Sequence, residues 1–157
     1  MRLDFYDLKK ESPDNALLAL LEPIIESKKR TVIVLKDANE TERVNNLLWS
    51  FDENSFIPHG NKKDGNEKSQ PIYLADTDEF KSFAKNGSPN SASFVVYMDI
   101  AIPDIPDKNI YERCFVIFGG RNLAALENAR VLWKKAKEDG SETHLWRKDG
   151  RWSEVPL

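Results

Sequence analysis

Apolar residues recur along this chain with two periods, two and about 3.6, and the switches between them mark out the elements. Leu3 to Leu8 alternate around Phe5 and Tyr6 and predict a first strand. Ser12-Pro13 then supplies an N-cap and a first-turn proline, a good helix start. Leu17, Leu18, Leu21, Ile24 and Ile25 follow at helical spacing, and Lys28, Lys29 and Arg30 close the segment with cations suited to the negative end of a helix dipole. Pro23 falls inside this pattern and predicts a kink or a split, because proline removes a backbone donor and crowds the preceding turn. Thr31-Val32-Ile33-Val34-Leu35 is a β-branched run between polar brackets, the pattern of a buried central strand. Helix followed by buried strand predicts a βαβ unit with parallel pairing.

The next helix is predicted from Asn39, with Glu42 in capping-box spacing. Val44, Leu47, Leu48 and Phe51 mark its inward face; Trp49 lies about 140° from Val44 and so falls outside it. Phe56-Ile57-Pro58-His59 reads as extended, since a residue before proline is pushed away from helix. Residues 60–70 are polar, contain two glycines and read as a mobile surface loop. A strand over Pro71 to Leu74, a short helix over Thr77 to Lys85 and a turn-rich loop over Asn86 to Ser93 follow. Phe94 to Met98 and Cys114 to Phe118 read as buried strands, and Pro103 and Pro106 exclude a regular helix between them. Leu123 to Asp139 is the clearest helix, with Ala125, Ala129, Leu132 and Ala136 forming a face of mostly small residues and Gly140 a stop. His144 to Trp146 and Arg151 to Trp152 flank Asp149-Gly150, a hairpin signal. No repeat interrupts the series, so residues 1–157 are expected to form a single α/β domain around a mostly parallel sheet.

Composition narrows the function classes. With 157 residues, 40% hydrophobic and 31% charged, the chain can bury a real core. A net charge of −3 argues against a DNA binder held by a general basic field, although a local basic patch is compatible with it. Cys114 has no partner for a disulfide, and with His59 and His144 the only histidines there is no Cys/His zinc set. The N-terminus lacks an apolar stretch of signal length and no run is long enough to span a membrane, so a reducing cytoplasm is the expected location.

Arg130, Trp133, Lys134 and Lys137 stand at i, i+3, i+4 and i+7 on one helix face, apart from the alanine and leucine face. Cations around one aromatic fit an acidic peptide with an apolar anchor; the competing explanation is a solvated basic face with Trp133 half-buried. Gly119-Gly120-Arg121 lies between strand and helix, where phosphate loops occur, but neither the GxGxxG nor the GxxxxGK[ST] spacing is present. His59 has no serine or carboxylate constellation around it in sequence, and no metal, nucleophile or paired-acid motif emerges. Two rival readings remain: a small nucleotide-binding α/β protein or enzyme using Gly119-Gly120, and a nucleic-acid module with Trp133 and the lysines as a stacking strip.

Leu48-Trp49, then Ser55-Phe56-Ile57-Pro58-His59, then Tyr111-Glu112-Arg113 before Phe118-Gly119-Gly120, and finally Ala129-Arg130, Trp133-Lys134, Lys137 and Gly140 occur in that order. Trp146 with Gly150-Arg151-Trp152 follows. Together they resemble the chi subunit family of bacterial DNA polymerase III, an accessory protein of the clamp-loader complex. The resemblance implies a Rossmann-like three-layer fold without a nucleotide site, no cofactor, and no catalysis by the chain itself. It implies two binding surfaces. One, matched by Trp49 and Phe56 with Pro58 and His59 beside them, would hold the psi subunit, giving a monomer or a heterodimer with psi. The other would take the acidic, Phe-ending C-terminal tail of single-stranded DNA-binding protein. Arg130, Trp133 and Lys134 match its contact residues, with tryptophan where some members use tyrosine. Lys137 is added by helical spacing alone.

Overall fold

The computed structural model describes residues 1–50, 57–119, 121–149 and 151–156. The elements are β1 (Arg2–Asp7), α1 (Pro13–Ser27), β2 (Thr31–Leu35), α2 (Ala38–Ser50), β3 (His59–Gly60), β4 (Ile72–Asp76), α3 (Thr77–Ser82), β5 (Phe94–Met98), β6 (Arg113–Phe118), α4 (Leu123–Glu138), β7 (Glu142–Asp149) and β8 (Arg151–Glu154). Among the described residues the strands form one sheet in the order β3-β4-β2-β5-β6-β1-β7-β8. Only the β7–β8 hairpin is antiparallel; the other pairs are parallel. The expected α/β architecture with a mostly parallel central sheet is therefore present, in a Rossmann-like arrangement.

The period-two side chains feed two cores. Leu3 and Phe5 of β1 pack with Val116, α3 and α4, whereas Tyr6 and Leu8 pack with Ile117, α1 and α2. Parallel strands covered on both faces must be apolar on both, which is why β2, β5 and β6 read as continuous runs. Full burial of a Leu, Ile, Val or Phe side chain contributes roughly 1.5–3 kcal/mol, and these three-layer contacts supply most of the fold's stability. The small residues Ala125, Ala129 and Ala136 are all buried and let α4 approach the sheet closely.

The N-cap of α1 is as predicted: the Ser12 hydroxyl accepts from the Asn15 amide at 3.1 Å. Pro23, however, neither splits nor ends this helix, which runs continuously from Pro13 to Ser27. Pro23 and Ala19, whose carbonyl loses its intrahelical donor, both lie on the exposed side, where water can satisfy that oxygen. The start of α2 also differs from expectation. Asp37, not Asn39, caps it, its carboxylate accepting from the Glu40 amide at 2.9 Å. The helix begins almost directly after β2, which places Asn39 inside the first turn.

Residues 60–70, read as a mobile loop, are held by several hydrogen bonds. His59–Gly60 pairs with β4 as an edge strand, Asn61 is buried, and Glu67–Ser69 forms a 3-10 turn. Arg30 donates to the Lys68 and Asn90 carbonyls, and the fully buried Asn90 amide donates to the carbonyls of Thr31 and Gln70. Polar composition here reflects hydrogen bonding to the sheet's end rather than freedom from it.

Candidate functional site

The α4 helix has two flanks with opposite fates. Asn122 caps its start, accepting from the Ala125 amide at 3.1 Å. On one flank the irregular segment after β5 is strapped down: buried Asn128 donates to the Ile102 carbonyl at 2.8 Å, and Lys135 to the Pro103 carbonyl at 2.7 Å. On the other flank lies a cleft of about 460 Å³. Its walls are Phe5, Phe118, Leu126, Ala129, Trp133 and Leu145, and its rim carries Lys9, Arg130, Arg147 and Asp7. That volume and that mixture, apolar walls with a few charged groups, suit an apolar anchor attached to an anionic chain.

Strand register explains how the site is assembled. In the parallel ladder Asp7 of β1 stands opposite Phe118 of β6 on one side and Arg147 of β7 on the other. Three strand ends thus deliver an acid, an aromatic and a cation to one level. Trp133 packs edge-on against Phe5, with ring centroids 5.1 Å apart, and Lys137 Nζ lies 5.1 Å from the Trp133 ring centroid. The cation–π contact holds Lys137 against Trp133, outside the residues that line the cleft. Arg130 and Trp133 therefore meet in one cleft with Lys137 beside them. Lys134 is exposed one turn after Arg130 and does not line the cleft. Spacing on α4 missed Lys9, Arg147 and Leu126. The alternation Thr143, Leu145, Arg147 held a partial signal, but only the placement of β7 beside β1 gives it meaning.

The second expected surface is assembled differently. Trp49 is 58% exposed, as its helical phase predicts. Its ring sits 4.8 Å from that of His59. His59 was expected at the surface beside it, but its ring is buried, because the short β3 strand tucks it beneath α2. An Nδ1–H donating to the Ile57 carbonyl at 2.7 Å leaves Nε2 as a buried acceptor. Pro58 is half-buried, and Phe56 lies outside the described residues. Asn45, one turn before Trp49, adds a buried amide oxygen with no hydrogen-bond partner among the described residues. Here Trp49 is what the surface presents, with His59 supporting it.

Chemistry around Gly119 disfavours phosphate. Its amide donates to the Asp99 carboxylate at 2.9 Å, and burial raises the Asp99 carboxyl above the ordinary carboxylate value. Gly120 lies outside the described residues. The adjoining crevice carries Asp14, Asp37, Glu40 and Asp99 against Lys36 and Arg43, and Arg43 already pairs with Asp14 and Glu40. A polyphosphate would meet more acids than unengaged cations there. Among the described residues there is no cluster of three or more acidic, His or Cys side chains able to hold a metal, and no helix long and apolar enough to cross a membrane.

The fold is an open, mostly parallel α/β sheet, and the cleft beside α4 pairs apolar walls with a cationic rim. A family profile described as "DNA polymerase III chi subunit, HolC" matches residues 1–144, and the chain belongs to that family. The family match takes in the motifs from Leu48-Trp49 to Gly140 and stops short of Trp146 and Gly150-Arg151-Trp152. It is also 35% identical over 95 residues to a protein of Rickettsia prowazekii (strain Madrid E) named "Probable DNA polymerase III subunit chi". That match covers 60% of this chain and 53% of the relative, so the chain spans about half the length of the curated relative it matches.

Proposed function

We propose that this chain is a non-catalytic adaptor of the replicative polymerase, joining the clamp loader to single-stranded DNA-binding protein. The observation that carries the reading is the cleft beside α4, where Arg130, Arg147 and Lys9 rim a pocket walled by Trp133, Phe118 and Leu145. An acidic tail ending in phenylalanine matches it group for group: the ring enters the apolar pocket while carboxylates pair along the rim and with exposed Lys134. Family membership supports the replication setting. The Trp49 surface, on α2 and on the opposite face of the sheet from α4, is assigned to psi. The two surfaces leave room for both partners at once.

Exposed ion pairs contribute only ~0–1 kcal/mol each, so binding of the tail should be modest and weakened by salt. Several tails on one DNA-bound oligomer would raise the effective affinity without new contacts. A labelled acidic peptide ending in Phe, titrated by fluorescence anisotropy, tests the site. Lys134→Ala and Arg130→Ala should each weaken binding about two- to fivefold, and Trp133→Ala about tenfold or more. Equal affinity across the wild type and all three variants would sink the assignment. For the other surface, Trp49→Ala should lose psi in a pull-down and keep the peptide.

A further inference from the structure

We infer that Asp7 sets the selectivity of the α4 cleft, acting as an internal carboxylate that an incoming acidic ligand must compete with. This rests on the cleft being the peptide site proposed above. Among the described residues lining that cleft Asp7 is the only acid, and it is 8% exposed. One of its oxygens, Oδ2, accepts from Arg147 Nε at 3.2 Å and lies 3.6 Å from Lys9 Nζ. Two of the three rim cations are thus engaged by the same oxygen, while Arg130 has no acidic partner among the described residues.

The consequence follows from charge placement. A ligand carboxylate reaching Lys9 or Arg147 arrives within contact range of a like charge that cannot move far, because Asp7 is fixed by the ladder at the end of β1. The cleft then discriminates. An isolated small anion gains little at a half-neutralised pair, whereas a peptide that also fills the apolar pocket and reaches Arg130 gains enough to bind. Arg147 gives Asp7 only its Nε–H, and its terminal nitrogens make no hydrogen bond to a described residue. The ligand therefore adds to the pair at the outer edge of the guanidinium and shares its charge with Asp7. The device keeps exchange fast at the cost of affinity.

The test is Asp7→Asn, which keeps an acceptor for Arg147 Nε and removes only the charge. With the acidic, Phe-ending peptide as probe, Asp7→Asn should tighten binding about two- to fivefold, more at low ionic strength than at high. In an Arg147→Met background the same change should give a smaller gain, because one of the cations it releases is gone. Unchanged or weaker binding by Asp7→Asn, with binding still weakened about tenfold or more in Trp133→Ala, would overturn the inference and leave the peptide site standing. No binding by wild type or by Asp7→Asn, each with an unaltered thermal melt, would overturn both. Binding by Asp7→Asn alone would support the inference.

Discussion

Asp4 and Asp7 share a strand, and both carry ion pairs to arginine, yet they belong to different kinds of site. Asp4 points toward the α1 side and is fully buried. Its two oxygens accept from Arg2 at 3.0 Å, from Arg113 Nε at 2.8 Å and from the Trp146 indole at 3.0 Å. Arg113 in turn lies 4.4 Å over the Phe115 ring. Asp7 points toward the α4 side, at the strand's open end, and its partners Lys9 and Arg147 are about half exposed. The first carboxylate has donors on every side and fixes β6, β1 and β7 together. The second has partners that other ligands can reach. The difference lies first in the carboxylates themselves: the Asp4 side chain is sealed off while its arginines are about a third exposed, whereas Asp7 keeps some exposure and its cations are about half exposed.

Breaking the closed site should have the largest effect. Asp4→Ala is expected to cost about 2–4 kcal/mol of stability in urea unfolding, because it opens a space at a fully buried position and takes the shared acceptor from two part-buried guanidinium groups and an indole N–H. A loss under about 0.5 kcal/mol would place Asp4 with the surface pairs. Next is its pH dependence. Burial opposes ionisation of Asp4, but the hydrogen bonds from Arg2, Trp146 and Arg113 hold its carboxyl below the ordinary value. Its stabilising contribution is therefore present above the unfolded pKa and lost as pH falls through the folded one. Stability followed from pH 7 into acid should fall less steeply in Asp4→Asn than in the wild type.

Smaller effects sharpen the contrast. Arg113→Met should cost about 1 kcal/mol, while Arg147→Met on the open side should stay within about 0.5 kcal/mol and weaken peptide binding instead. At the hairpin, His144 lies between Glu154 and Glu142, which raise its pKa above 6.5. The small contribution of this exposed cluster is present below the ordinary histidine value and lost as pH rises through the folded one. Proton NMR titration of His144 should show a raised midpoint that Glu154→Gln lowers.

Much of the architecture was legible in residue order. Period two and β-branched runs located the main strands, and the alanine face of α4 marked the side that this helix buries. The aromatic phase of α2 placed Trp49 outside, and the cation–aromatic stripe of α4 pointed to one wall of the cleft. Errors arose where a local signal met a tertiary context: Pro23 is tolerated because its side of α1 faces water, and the polar loop after His59 is pinned by Arg30 and Asn90 from distant positions.

Local sequence thus determined which segments become helix or strand and which faces are apolar, since those properties depend on neighbours within a turn or a pleat. The order of strands was decided only by folding, because pairing is set by the summed burial of both sheet faces. That order brings Lys9, Asp7, Phe118 and Arg147, scattered along the chain, to one rim beside Arg130 and Trp133. One wall of the cleft is written on a helix. The other exists only once β6, β1 and β7 lie side by side.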